Sequence, residues 1–242
     1  MTTDTAGMTE PTSAPRPAPI TTMVAVLWSL FVGLGFVAHR AAAGTVLDHA
    51  VLAWMVGHRT PGLTSLAIAV TTVGSPVGVA VIAVVAAGLS WWRRGSPRPA
   101  ILIVTTLAVA GALSTLSKII VGAHRPSQAV QLVVETDPSF PSGHVTGTLA
   151  LMGAVAVVMG HHSGRAVSGV AIVLAGAVTA AVALTRVYLG VHWVTDIGGG
   201  LLLGGSAVVL AFVAYQRMMG PSDTDDRGGA LALSGPATAV AT

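Results

Sequence analysis

The sequence contains no cysteine, which excludes disulfides, zinc–thiolate centres and cysteine nucleophiles. It also has little charge. Asp, Glu, Lys and Arg make up 9% of its 242 residues, against about 25% in an ordinary soluble domain. A water-solvated globule is excluded at that density, and 53% hydrophobic residues exclude a disordered chain as well. The sequence pI of about 10.2 would suggest nucleic acid in a polar protein. No basic run or stripe is present for a phosphate backbone to follow, so no nucleic-acid partner is expected. Lysine is nearly missing too: of 12 basic residues only Lys118 is not arginine.

What is present is a series of long apolar runs. About 20 apolar residues cross a hydrocarbon core of roughly 30 Å. Six runs approach or exceed that length: Ile20–Ala38, Leu63–Trp91, Ala100–Ile120, Val145–Gly160, Val167–Leu184 and Ile197–Tyr215. They show no polar face of the kind a soluble amphipathic helix carries. Small residues recur through them, Gly200-x-x-x-Gly204 among them, which suits close helix packing in a membrane. The expected fold is therefore all-α: an integral membrane six-helix bundle, residues 20–216, between disordered tails at 1–19 and 217–242. Leu63–Trp91 contains Gly74-Ser75-Pro76 and reads as one kinked span in preference to a helix pair. The segment Val46–His58 reads as an interfacial helix, with Asp48 capping or orienting it. The acidic as well as basic leader argues against a cleaved signal peptide.

Six spans put both termini on one side. That side would carry Arg16, Arg93, Arg94, Arg98, Arg165, Arg217 and Arg227; the other would carry Arg40, Arg59, Lys118, Arg125 and Arg186. The excess of positive charge makes the first side cytoplasmic.

The polar residues that look out of place fall on the outer side. Lys118 and Arg125-Pro126 close the third span, and Ser139-Phe140-Pro141-Ser142-Gly143-His144 opens the fourth. Arg186 ends the fifth, and His192 and Asp196 open the sixth. Three converging cations without matching acids need an anion of more than one charge, and phosphate fits. Arginine forks pair with phosphate oxygens, and lysine adds a compact charge. Pro141-Ser142-Gly143 sits where a helix begins, so backbone N–H groups and the helix dipole can face the same anion. His192 and Asp196 are spaced i, i+4 and share a helix face. A carboxylate on one ring nitrogen fixes the tautomer and leaves the other as nucleophile. His144 can then protonate the leaving oxygen and later activate water.

The segments Lys118…Arg125-Pro126, Pro141-Ser142-Gly143-His144 and Arg186…His192…Asp196 resemble the motifs of the phosphatidic acid phosphatase type 2 family. The resemblance implies a six-helix bundle with an outward-facing site at the helix ends, a phosphohistidine intermediate and no metal or other cofactor. It implies that Lys118, Arg125, Arg186, Ser142 and Gly143 hold the phosphate. It implies His192 as nucleophile, Asp196 as its partner and His144 as general acid. Thr185 stands where the family usually has serine, so a phosphate contact from it is not expected.

The sequence thus leads to a metal-independent phosphatase of the cell membrane, acting on a lipid phosphate or diphosphate. A polyprenyl diphosphate, phosphatidic acid or phosphatidylglycerol phosphate would serve as substrate. A lipid phosphotransferase would use the same residues. An anionic-lipid transporter would more often place polar groups at mid-membrane. The remaining polar residues read more plainly. Arg40 and Arg59 read as snorkelling anchors, Trp193 and Tyr188 as an aromatic belt with contact to an acyl or prenyl chain as the alternative, and Glu135 and Asp137 as solvated loop acids, with contact to substrate or a cation as the minority reading. Oligomeric state leaves no mark in the sequence.

Overall fold

The computed structural model describes residues 18–220. Lipid offers the backbone no hydrogen-bond partner, and a helix satisfies its own N–H and C=O groups within one segment. The described residues accordingly form helices and no strand. In chain order these are α1 (Ala18–Ala41), α2 (Val46–Gly57), α3 (Pro61–Val73), α4 (Pro76–Arg94), α5 (Arg98–Val121), α6 (Gly143–His162), α7 (Arg165–Tyr188) and α8 (Val194–Met219). A short 3₁₀ turn, Gln128–Val130, lies in the α5–α6 loop. Six of the helices, α1 and α4 to α8, are long and apolar enough to cross a membrane. Most of the expected tails lie outside the described residues, and α8 continues past the expected boundary at 217 as far as Met219.

The second apolar run is two helices, not one kinked span. Gly74 ends α3, the Ser75 hydroxyl accepts the N–H of Gly78, and Pro76 begins α4 where no N–H is needed. α4 alone has the length of a span. Hydropathy runs unbroken through this capping sequence, so composition alone favours a single helix.

α6 is the central helix. Of its membrane window 61% is buried, against 11–33% in the other five. It packs on α5, α7 and α8. Toward one end the bundle holds a core of Val79, Leu102, Ile103, Leu151, Val158 and Tyr215. Nearer the other end, Phe31 of α1 meets Phe140 at 5.5 Å between ring centroids. The Gly200-x-x-x-Gly204 spacing is a packing face, as its small residues suggest. A Cβ on Gly200 would lie 2.9 Å from the Ser142 carbonyl oxygen, and one on Gly204 would lie 3.1 Å from that of Thr146.

α2 is tied into the bundle by a buried carboxylate. Thr45 and Asp48 form a capping box: the Thr45 N–H and hydroxyl donate to Asp48 Oδ2 at 2.9 and 2.8 Å. Asp48 also accepts from the Thr195 N–H at 2.9 Å and its hydroxyl at 3.1 Å, on the first turn of α8. At 1% exposure this side chain is part of the fold and not of the surface.

Two substitutions test this packing. Gly200→Val should lower thermal stability in detergent by about 1–3 kcal/mol through overpacking against a backbone atom that cannot yield. Asp48→Ala orphans several half-buried donors and should cost roughly 1–3 kcal/mol, while Asp48→Asn, which keeps an acceptor, should cost less; thermal unfolding of the purified protein reads both.

Candidate active site

The ends of α5 and α7 and the beginnings of α6 and α8 meet at one end of the bundle. The chain turn that delivers the last motif depends on Gly190, at φ +74°, where a Cβ would lie 2.5 Å from the Val130 carbonyl oxygen. This turn lets the chain leave α7 after Arg186 and present His192 just before α8 starts.

Asp196 is the hub. Its Oδ2 accepts from Ser139 Oγ at 2.6 Å, from the Trp193 N–H at 2.8 Å and from His192 Nδ1 at 3.1 Å. Its backbone carbonyl accepts the N–H of Ser142 at 3.0 Å. One residue therefore fixes both the histidine of its own motif and the start of α6. Ser139, which motif spacing does not single out, is half of that link. The i, i+4 pairing of His192 with Asp196 is present, although His192 itself stands just ahead of the helix.

His192 Nε2 lies 3.1 Å from Arg125 Nη1. The guanidinium can only donate, so Nε2 carries the lone pair and Nδ1 the proton, which points at Asp196. His192 is 1% exposed. Burial holds its imidazole well below the usual histidine pKa, and the charges of Arg125, Arg186 and Lys118 act in the same direction. The ring is thus a neutral base whose one lone pair faces the cations and accepts from Arg125.

The three expected cations are brought together and are almost out of water: the Lys118, Arg125 and Arg186 side chains are 11%, 7% and 1% exposed. They are not free. Glu135 pairs with Arg186 and lies 3.8 Å from Arg125 Nη2. Asp137 lies 2.7 Å from Arg125 Nη2 and 3.0 Å from Lys118 Nζ. These two acids are not merely solvated loop residues: buried cations attract the nearest carboxylates, although Asp137 stays half-exposed. The pairing with Lys118 and Arg125 holds the Asp137 carboxyl below its ordinary pKa even though burial acts against it.

The remaining expected ligands sit at the start of α6. Ser142 is the N-cap, yet its buried Oγ has no hydrogen-bond partner. Its own N–H is committed to Asp196, so the N–H groups left to face an anion are those of the first turn. A Cβ on Gly143 would point at Ser114 Oγ and Lys118 Cε, 3.8 and 3.9 Å away. His144 follows, half-buried and within electrostatic reach of all three cations. Ser114 Oγ and Arg186 Nε are further buried donors without a partner among the described residues. The Thr185 hydroxyl turns back to the Val182 carbonyl at 2.6 Å and does not face the cluster.

Several residues outside the motifs hold this arrangement. Thr71 of α3 accepts from Arg186 Nη1 at 2.7 Å. Arg59 is not a simple membrane anchor: it donates to the carbonyls of Tyr188 at 3.0 Å and Val130 at 2.9 Å. Trp193 is not part of an aromatic belt either. It is 4% exposed, with its indole N–H on the His124 carbonyl at 2.7 Å. Tyr188 meets the Thr60 N–H and the Thr64 hydroxyl at 3.0 and 3.1 Å.

Comparison with known proteins agrees with this geometry. No curated protein sequence matches the chain. A solved structure titled as the first transmembrane PAP2-type phosphatidylglycerolphosphate phosphatase from Bacillus subtilis is similar at a TM-score of 0.70 and 25% identity, over 81% of this chain and 95% of that one. Aquifex aeolicus LpxE shares the fold at a TM-score of 0.53 and 16% identity, over 72% of this chain and 98% of that one. The family model of the PAP2 superfamily matches residues 99–219, which include every residue of the three motifs. The chain is a multi-pass membrane protein that belongs to the PAP2 superfamily.

Proposed function

We propose that this protein is a membrane phosphatase that removes a phosphoryl group from a lipid phosphate or diphosphate through a covalent histidine intermediate, with no metal ion. The observation that carries the reading is a histidine with one nitrogen fixed by a buried carboxylate and the other at the edge of a three-cation cluster. The buried polar atoms there that lack a hydrogen-bond partner among the described residues include the donors Ser142 Oγ and Arg186 Nε. That set suits a phosphoryl group with three oxygens to satisfy.

In this reading His192 Nε2 attacks phosphorus in line with the lipid oxygen. The phosphorus–oxygen bond breaks, and His144 gives its proton to the leaving oxygen. Asp196 stabilises the positive charge that the His192 ring acquires, through the Nδ1–H bond. Lys118, Arg125 and Arg186 take the negative charge spread over the equatorial oxygens, which is the main electrostatic contribution to phosphoryl transfer. His144 then accepts a proton from water as it attacks the phosphohistidine. Phosphate leaves and His192 is restored.

The site lies at the helix ends, where the headgroup of a bilayer-anchored lipid would sit. Phosphatidylglycerol phosphate is the substrate favoured among the lipid phosphates, because the similar structure from Bacillus subtilis is titled as a phosphatase for it. The opposite end of the bundle carries Arg93, Arg94, Arg98, Arg165 and Arg217. The positive-inside rule makes that end cytoplasmic, with both termini, and makes the site extracytoplasmic in the cell membrane.

Purified protein should therefore release phosphate from phosphatidylglycerol phosphate in EDTA, and loss of all release on chelation would remove the metal-free mechanism. His192→Ala should lower kcat by roughly 10³-fold or more and abolish an acid-labile, alkali-stable phosphoenzyme in rapid-quench labelling. Because the chain has no cysteine, single substitutions report sidedness without background. Ser127→Cys should react with an impermeant maleimide in intact cells, and Ser163→Cys only after lysis; the reverse pattern would invert the orientation.

A further inference from the structure

The cations of the site are linked in a row by two carboxylates of one loop: Arg186 to Glu135, Glu135 to Arg125, Arg125 to Asp137 and Asp137 to Lys118. We propose that Glu135 and Asp137 act as tethered competitors of phosphate, occupying the cation cradle so that bare phosphate binds weakly and a bilayer-anchored phosphate displaces them. The proposal rests on the reading of this cluster as a phosphate cradle.

The charges require a choice between the two ligands. Lys118, Arg125 and Arg186 are balanced by Glu135, Asp137 and Asp196. A phosphate dianion added to that set would leave a buried cluster with an uncompensated double negative charge, so the carboxylates must withdraw as phosphate binds. Their exposure allows it. The Glu135 and Asp137 side chains are 25% and 50% exposed, while the cations they face are nearly dry. The acids can return to water and the cations cannot.

The competition separates ligands by how they arrive. A carboxylate tethered to the same loop acts at a high effective concentration, and bare phosphate in solution offers the cations little beyond what the carboxylates already supply. A lipid phosphate is concentrated at the membrane surface and its chains hold it there, so it meets the tethered competitors on comparable terms. After turnover the product has lost that anchor. Glu135 and Asp137 then reclaim the cations and expel phosphate. Glu135 and Asp137 thus become specificity-determining residues that lie outside the three motifs.

Isothermal titration of the detergent-solubilised full chain with inorganic phosphate tests this without turnover. Glu135→Gln/Asp137→Asn should lower the phosphate Kd by about tenfold relative to wild type. Asp137→Asn alone, at a half-exposed position, should give part of that gain and serves if the double variant does not fold. Glu135→Asp keeps the charge and withdraws the contact, and should also tighten binding. An unchanged or higher Kd in the neutral variants overturns the proposal, because it would make the acids supports of the cradle. Tightening in Glu135→Gln with none in Glu135→Asp overturns it as well, by reducing the effect to long-range field. Hydrolysis of a lipid phosphate with no shift in phosphate affinity sinks the competition and leaves the proposed function intact. Tightened phosphate binding with no hydrolysis of any lipid phosphate does the reverse.

Discussion

Three cations held nearly out of water at one end of an apolar bundle must be neutralised. At a separation of about 4 Å and an effective dielectric near 20, like charges repel by roughly 4 kcal/mol, far more than an exposed ion pair returns. Lys118, Arg125 and Arg186 are held in that condition by apolar helices that end together. Their demand for negative charge draws Glu135 and Asp137 out of the α5–α6 loop. It also helps keep the neighbouring histidine ring neutral. The row of alternating charges through the loop acids is the ground state of that demand.

Asp196 provides the geometric counterpart. A single buried carboxylate takes hydrogen bonds from Ser139, His192 and the Trp193 backbone, and its own carbonyl holds Ser142. The two motifs that supply His192 and the helix N-terminus therefore share one anchor. Gly200 makes the same junction possible from the apolar side, since only a missing side chain lets α8 come so close to the Ser142 carbonyl. The electrostatic and packing solutions meet within one helical turn.

Much of this was legible in the sequence. Lipid-facing helices show their whole circumference as apolar, so the spans were readable, apart from the break at Gly74-Ser75-Pro76, which is written in capping chemistry instead of hydropathy. The motif residues were readable because charge in an apolar context has few explanations. Residues that act by burial were not. Asp48 offered a faint signal, the Thr45-x-x-Asp48 capping pattern, but nothing local announced its bond to Thr195. Arg59 and Trp193 sit at helix ends, where an anchoring side chain is the usual case, and only the tertiary fold turns them inward. Thr71 looks like one more small residue in a membrane helix until Arg186 reaches it. Glu135 and Asp137 lie in a polar loop, and their role depends on cations brought together by other segments.

Helices α1 to α4 and the loops between them lie outside the stretch that defines membership of the superfamily. They nonetheless supply Asp48 under the first turn of α8, Arg59 under the α7 turn and Thr71 under Arg186. The motif region is therefore not an interchangeable module. A chimera that joined its 99–219 stretch to the leading helices of a relative would keep every signature residue and still lose the register of His192, unless those three supports travelled with it.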